Sequence, residues 1–249
     1  SYAVALNGSS ADVAAALDAT FASSYTGTVS LSDAHTLAEL KTVNNGTTNT
    51  ITLNDYSVAL TGSTADVKAA LAGTFASAYT GDVTLSDSNG TSIAATDITT
   101  IEGDTNGTVT VSNNINITGT SAEVAAAVDD VNTFSGTPTA TLGDAHNLAQ
   151  LKAINNKLSG TLTLNDYSVA LSGTTADVKA ALAGTFADTY TGNVTLSDAN
   201  TTDITATDIT TIEGDTNGTI TVTNNIDING TAAEVAAAVD DVNTFSGTP

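Results

Sequence analysis

The chain has no cysteine, methionine, tryptophan or arginine, and only 2 of its 249 residues are proline. Without cysteine there is no disulfide framework, no thiolate zinc site and no cysteine nucleophile. Without arginine the usual bidentate partner for carboxylate or phosphate substrates is missing. Aromatic residues make up 4% of the chain, which argues against a conventional large enzyme core. Basic residues are scarce as well. Five lysines face 27 acidic residues, giving a formal net charge of −22. Such a field repels nucleic-acid phosphates and anionic membrane surfaces. No apolar run approaches the ~20 residues that span a bilayer, so no membrane insertion is expected. No Gly-rich phosphate loop, Gly-x-Ser-x-Gly elbow or metalloprotease helix is present. No signal peptide is visible either. The chain starts inside its own pattern and is expected to be a piece of something longer.

What fills the chain is a repeat. Leu53-Asn54-Asp55-Tyr56-Ser57-Val58-Ala59-Leu60 returns as Leu164-Asn165-Asp166-Tyr167-Ser168-Val169-Ala170-Leu171, an offset of 111. Asp129 to Phe134 returns at the same offset as Asp240 to Phe245. The frame is therefore 1–111, 112–222 and a partial third copy, 223–249. With no linker or composition shift, one continuous domain over 1–249 is expected. An active site needs a unique constellation, and here every candidate is copied.

Each copy divides into coils opened by an apolar–polar–apolar tripeptide, the strand signal. The series is Val29-Ser30-Leu31, Ile51-Thr52-Leu53, Val83-Thr84-Leu85 and Val109-Thr110-Val111, with its counterparts from Ala140, Leu162, Val194 and Ile220. Short and long steps alternate: from 29 to 51, 51 to 83, 83 to 109 and 109 to 140, and then the series restarts. Helix starts are marked by capping boxes or their Asp, Asn and Gln variants: Ser9/Asp12, Thr36/Glu39, Ser63/Asp66, Thr120/Glu123, Asn147/Gln150, Thr174/Asp177 and Thr231/Glu234. Longer coils insert a second strand-like run, such as Ser57 to Leu60 or Asn114 to Ile117. The fold class this predicts is α/β: an elongated solenoid of strand–(strand)–helix coils. Successive first strands pair in parallel because each crossover carries a helix, as in leucine-rich-repeat architecture but without its consensus.

Strings such as Leu60-Thr61-Gly62-Ser63-Thr64-Ala65-Asp66-Val67, Thr96-Asp97-Ile98-Thr99-Thr100-Ile101-Glu102-Gly103 and Ala76-Ser77-Ala78-Tyr79-Thr80-Gly81 carry a resemblance. They resemble the repeat regions of giant secreted or cell-surface proteins of marine cyanobacteria and other marine bacteria, along nearly the whole chain. The resemblance implies an extracellular or cell-surface setting. The calcium-binding Gly-Gly-x-Gly-x-Asp nonapeptide of those proteins does not occur here, so no functional residue is carried over from them.

Several columns carry chemistry. Asp33, Asp55, Asp87, Asp144, Asp166 and Asp198 follow the first strands, with Asn113 and Asn224 in the same phase. Stacked roughly 4.8 Å apart, they form either a ladder of calcium sites or a column of Asx turns holding backbone amides. Asp104-Thr105-Asn106-Gly107 and its copy from Asp215 are fragments of a calcium-loop pattern without the bidentate Glu, or plain turns. A threonine row (Ser30, Thr52, Thr84, Thr110, Thr141, Thr163, Thr195, Thr221) suits a solvent-facing sheet or an ice-binding face. His35 and His146 precede helix caps beside Asp33 and Asp144, which predicts a turn role and a raised pKa. Phe21/Tyr25, Phe75/Tyr79 and Phe186/Tyr190 read as core filler or a sugar-binding stack. Asn-x-Ser/Thr sequons such as Asn45-Gly46-Thr47 read as turn composition.

The function expected is a structural repeat module of a long extracellular protein: an adhesin stalk, sheath or self-associating fibre. Its partners would be neighbouring repeats or identical subunits stacked end to end. The alternative is a solenoid that binds calcium or another periodic ligand, ice or polysaccharide. An enzyme ranks last.

Overall fold

The structure is a computed structural model that describes residues 2–23 and 25–249; Ser1, where the repeat frame opens, lies outside them. The fold is α/β, with nine helices among the described residues and every recorded strand pairing parallel. The helices are α1 (Ser10–Leu17), α2 (Leu37–Gly46), α3 (Thr64–Leu71), α4 (Ala95–Asp104), α5 (Ser121–Asp130), α6 (Leu148–Lys157), α7 (Thr175–Leu182), α8 (Ala206–Asp215) and α9 (Ala232–Asp241). No helix among the described residues is long and apolar enough to cross a membrane.

The chain forms two compact units. The first comprises Ser1–Ile115 and Asp130–Gly136, the second Asn116–Asp129 and Thr137–Pro249. In the first unit, Leu6–Gly8, Val29–Leu31 and Ile51–Thr52 form one sheet, and Leu60–Gly62, Val83–Leu85, Val109–Val111 and Thr133–Phe134 form another. The second unit repeats the plan. Asn116–Gly119, Thr139–Leu142 and Leu162–Thr163 lie side by side. Leu171–Gly173, Val194–Leu196, Ile220–Val222 and Thr244–Phe245 form its four-stranded sheet, and Asp203–Thr205 pairs with Asp227–Asn229.

The pairing departs from the expected succession in one respect. First strands separated by a short step pair directly, as Val29↔Ile51 and Val83↔Val109 do. Those separated by a long step do not. Val83 pairs with Leu60 rather than with Ile51, and Ala140 pairs with Ile117 rather than with Val109. One coil closes over the shorter span, as the registers Leu6↔Val29, Ile51↔Phe75 and Ile204↔Ile228 also show. A long step is therefore one coil plus one strand. At the steps from 51 to 83 and from 162 to 194 the inserted strand starts a new ladder and the older one ends in a single bridge at Phe75 or Phe186, whereas the ladders through Val109 and Ile220 end in the two-residue strands Thr133–Phe134 and Thr244–Phe245.

Inward side chains of strand and helix meet in thin layers. Val29, Leu40, Val43, Ile51, Val67, Ile98, Ile101 and Val109 are fully buried. Burying each such side chain is worth about 1.5–3 kcal/mol. Ala70, Ala127 and Ala181 sit fully buried among them and let the helices approach closely. The anticipated caps form. The side chains of Ser9, Thr36, Ser63, Asn147, Thr174 and Thr231 accept from the amide three residues on. Thr120 and Glu123 satisfy each other's amides at α5. Among the described residues, α4 and α8 begin without a side-chain capping bond.

Candidate functional site

The six aspartates divide into two kinds. Asp33, Asp87, Asp144 and Asp198 each hold the first helical amide of the preceding coil, at Ser10, Thr64, Ser121 and Thr175. The distances are 2.7, 3.1, 2.6 and 3.1 Å. In the buried pair, Thr64 and Thr175 also donate their hydroxyls, at 2.6 and 2.7 Å. These carboxylates sit at the positive end of a helix dipole and tie one coil to the next. Asp55 and Asp166 instead accept the amide and hydroxyl of Ser57 and Ser168, two residues on, in Asx turns. Those bonds hold both carboxyls below the usual range, and the bond from Ser121 does the same for Asp144. Asn113 and Asn224, in the same phase, donate to the Asp87 and Asp198 carbonyls at 2.7 Å. Among the described residues no three His, Cys, Asp or Glu side chains come together as metal ligands.

The histidines correct the reading from sequence. His35 and His146 are buried, 3% and 4% exposed, and neither pairs with its neighbouring aspartate. Nε2 of His35 lies 3.1 Å from Tyr79 Oη, 44 residues on, and His146 lies 3.0 Å from Tyr190 Oη. Each tyrosine hydroxyl donates to a backbone carbonyl, that of Val58 at 2.5 Å or Val169 at 2.6 Å. The hydroxyl must therefore accept from Nε2–H, which leaves Nδ1 as a bare lone pair. That atom is buried and has no partner in either copy. Burial pushes both histidines down from 6.5, against the opposing fields of Asp55 and Glu39 on His35 and of Asp166 and Asp144 on His146. The expected rise is thus a fall, because removal from water outweighs the nearby carboxylates. Burial likewise raises the two tyrosines.

The threonine row exists, but within separate sheets. Thr61, Thr84, Thr110 and Thr133 stand in register, as do Ser172, Thr195, Thr221 and Thr244. Thr118, Thr141 and Thr163 form a third row, with Asn7, Ser30 and Thr52 as its counterpart. All five lysines are engaged. Lys41, Lys68, Lys152 and Lys179 bond Asp66, Asp97, Asp177 and Asp208, while Lys157 lies 4.0 Å from Asp129. These half-exposed pairs add little stability individually.

The aromatic pairs are more than filler. Tyr25, Tyr79 and Tyr190 are buried, but Phe21, Phe75 and Phe186 keep accessible surface. Each Phe–Tyr pair packs at 5.8–6.0 Å between ring centroids and borders a cavity. Sequence reading placed the rings in phase but gave no sign of the cavities, because their far walls come from the next helix. No protein-family model, no curated protein and no solved structure matches the chain.

Proposed function

We propose that this chain is a non-catalytic structural repeat module of a long extracellular or cell-surface protein, serving as a stalk, sheath or self-associating fibre. In this reading the coils run on as one α/β solenoid over 1–249, leucine-rich-repeat-like in plan, with further repeats or identical subunits as end-to-end neighbours. One observation carries it: the chemistry-bearing arrangements of the first copy recur, in phase, in the second. The His35–Tyr79 and His146–Tyr190 bonds are one such pair, and the Asp87–Thr64 and Asp198–Thr175 bonds are another. A site under selection for one reaction would appear once. A unit selected for propagation appears as often as length requires. Small-angle scattering tests the proposal. A compact chain of 249 residues has a radius of gyration of about 18 Å. A value well above that, with concentration-dependent assembly in sedimentation, is expected, and a compact monomer at every concentration would sink the reading.

A second reading is favoured by the in-register threonine rows and the uncompensated negative charge: a repeated face that binds calcium or another periodic ligand. As calcium ligands the six aspartates would have to share or surrender the amides they hold. Thermal melts with calcium and with chelator, read together with light scattering, separate the two. A large calcium-dependent rise favours the second reading, and indifference to chelator removes calcium from it.

A further inference from the structure

Three cavities recur at one place in the coil, between a Phe–Tyr pair and the C-terminal end of the following helix. They have volumes of about 310, 250 and 460 Å³ at Phe21–Tyr25, Phe75–Tyr79 and Phe186–Tyr190. The helix ends that wall them are those of α2 at Gly46, α4 at Asp104 and α8 at Asp215. A helix C-terminus carries roughly half a negative charge, and cations belong there. Neither α4 nor α8 has a basic residue in its last turn, and each ends on an aspartate.

Asp104 and Asp215 are half-buried, and burial pushes both carboxyls up. The hydrogen bonds and ion pairs among the described residues leave both carboxylates out. The field of Lys68 reaches Asp104, but its ammonium is bonded to Asp97; Lys179 in the other copy is bonded to Asp208. In both copies, then, a carboxylate is desolvated, set against a helix dipole and left without a cation. The duplication follows from the 111-residue repeat; what points to a ligand is the site itself, a carboxylate that lines a cavity at the negative end of a helix dipole and stands outside the ion pairs of the described residues. The tyrosine hydroxyls are committed to Val58 and Val169, so these rings offer the cavity their carbon atoms.

We propose that the Asp104 and Asp215 cavities each bind a small organic ammonium ion, with its charge on the carboxylate and terminal helix carbonyls and its alkyl groups against the Phe75–Tyr79 or Phe186–Tyr190 pair. The aromatic wall supplies cation–π attraction and apolar contact. A bare calcium ion wants six to eight oxygens and would leave most of such a volume unfilled. The chain's charge of −22 repels anions and draws cations in. The Phe21–Tyr25 cavity is a built-in control, because Gly46 stands where the others have Asp104 and Asp215. A neutral sugar, held by stacking alone, would take all three cavities.

Calorimetric titration of the whole chain with choline and with n-butylammonium, at pH 7 and constant ionic strength, tests this. Two sites per chain are expected. Asp104→Asn or Asp215→Asn removes one site, weakening it at least tenfold, and the double variant removes both. Asn keeps the shape and relieves the desolvated charge, so melting temperatures stay at or above that of the parent. Phe186→Leu, which keeps the carboxylate and removes a ring face, weakens choline binding at the second copy and serves if an Asn variant fails to fold. Choline binding more tightly marks recognition by the rings, and butylammonium binding more tightly marks recognition by the oxygens. The proposal is overturned by no saturable heat with either ion into the millimolar range, by affinities indifferent to the double variant, by stoichiometric displacement with calcium, or by equal occupancy of three sites with methyl glucoside.

Discussion

The stretches Ile51 to Val111 and Leu162 to Val222 build the same elements from nearly the same residues, and where they part is instructive. Buried strand and helix positions accept only conservative exchange: Ile51 becomes Leu162 and Val109 becomes Ile220. The coil-tying Asp87 and Asp198 and the buried His–Tyr bonds do not change. Exposed positions drift, as Ser77 to Asp188 does. One turn drifts against physics. Gly90 has φ of +78°, and its counterpart Thr201 keeps the left-handed backbone at +61°. Both amides donate across to the next coil, at 2.7 Å to the Asn114 carbonyl and 2.6 Å to that of Asn225. The inter-coil hydrogen bond therefore holds the turn open even where a β-branched residue resists it.

The comparison can be broken hardest at the shared aromatic. Tyr79→Ala empties a buried ring site and frees both His35 Nε2 and the Val58 carbonyl. A loss of about 3–5 kcal/mol is expected, read by denaturant unfolding, and Tyr190→Ala should match it. Next come the aspartates. Asp198→Ala strands the buried Thr175 amide and hydroxyl and should cost about 1–3 kcal/mol. Asp166→Ala, in its exposed Asx turn, should cost visibly less. Equal losses would mean that the two kinds of aspartate are one.

The divergent turn sharpens the comparison from the other side. Thr201→Gly should stabilise the second copy by about 1 kcal/mol, and Gly90→Thr should destabilise the first by a similar amount. Reciprocal shifts in melting temperature check the pair together.

The smallest effect is acid sensitivity near neutrality. Both histidines have folded pKa values below 6.5, so the unfolded chain binds their protons first. Their contribution is whole above pH 6.5 and is lost as pH falls below it toward the folded values. Melting temperature should slope downward in that window. The slope should disappear in His35→Gln/His146→Gln, in which an amide nitrogen replaces Nε2. Asp55, Asp144 and Asp166 have lowered pKa values, so they lose their contribution only below pH 3.8, a separate window.

Local signals were legible. The strand tripeptides and seven helix starts follow from alternation and capping chemistry between near neighbours. α4 left no such mark, since its N-cap is Ala94, and at α8 the Thr205/Asp208 pattern is present in the chain but Thr205 makes no capping bond to the backbone. The histidine environment was misread for a related reason. Sequence sets His35 beside Asp33, whereas the fold turns Asp33 to Ser10 and brings Tyr79 from 44 residues away.

The sequence by itself determined the period of 111, the acidic charge, the alternation that buries Val29 and Leu31, and the helix caps. All of these depend on composition or on neighbours one turn apart. The tertiary structure alone decided which strands are partners, which carboxylates tie coils together, that the histidines are dry, and that two aspartates end helices beside aromatic cavities. Those outcomes depend on residues a full coil or two apart in sequence, and on water being excluded once coils stack. No local pattern specifies either.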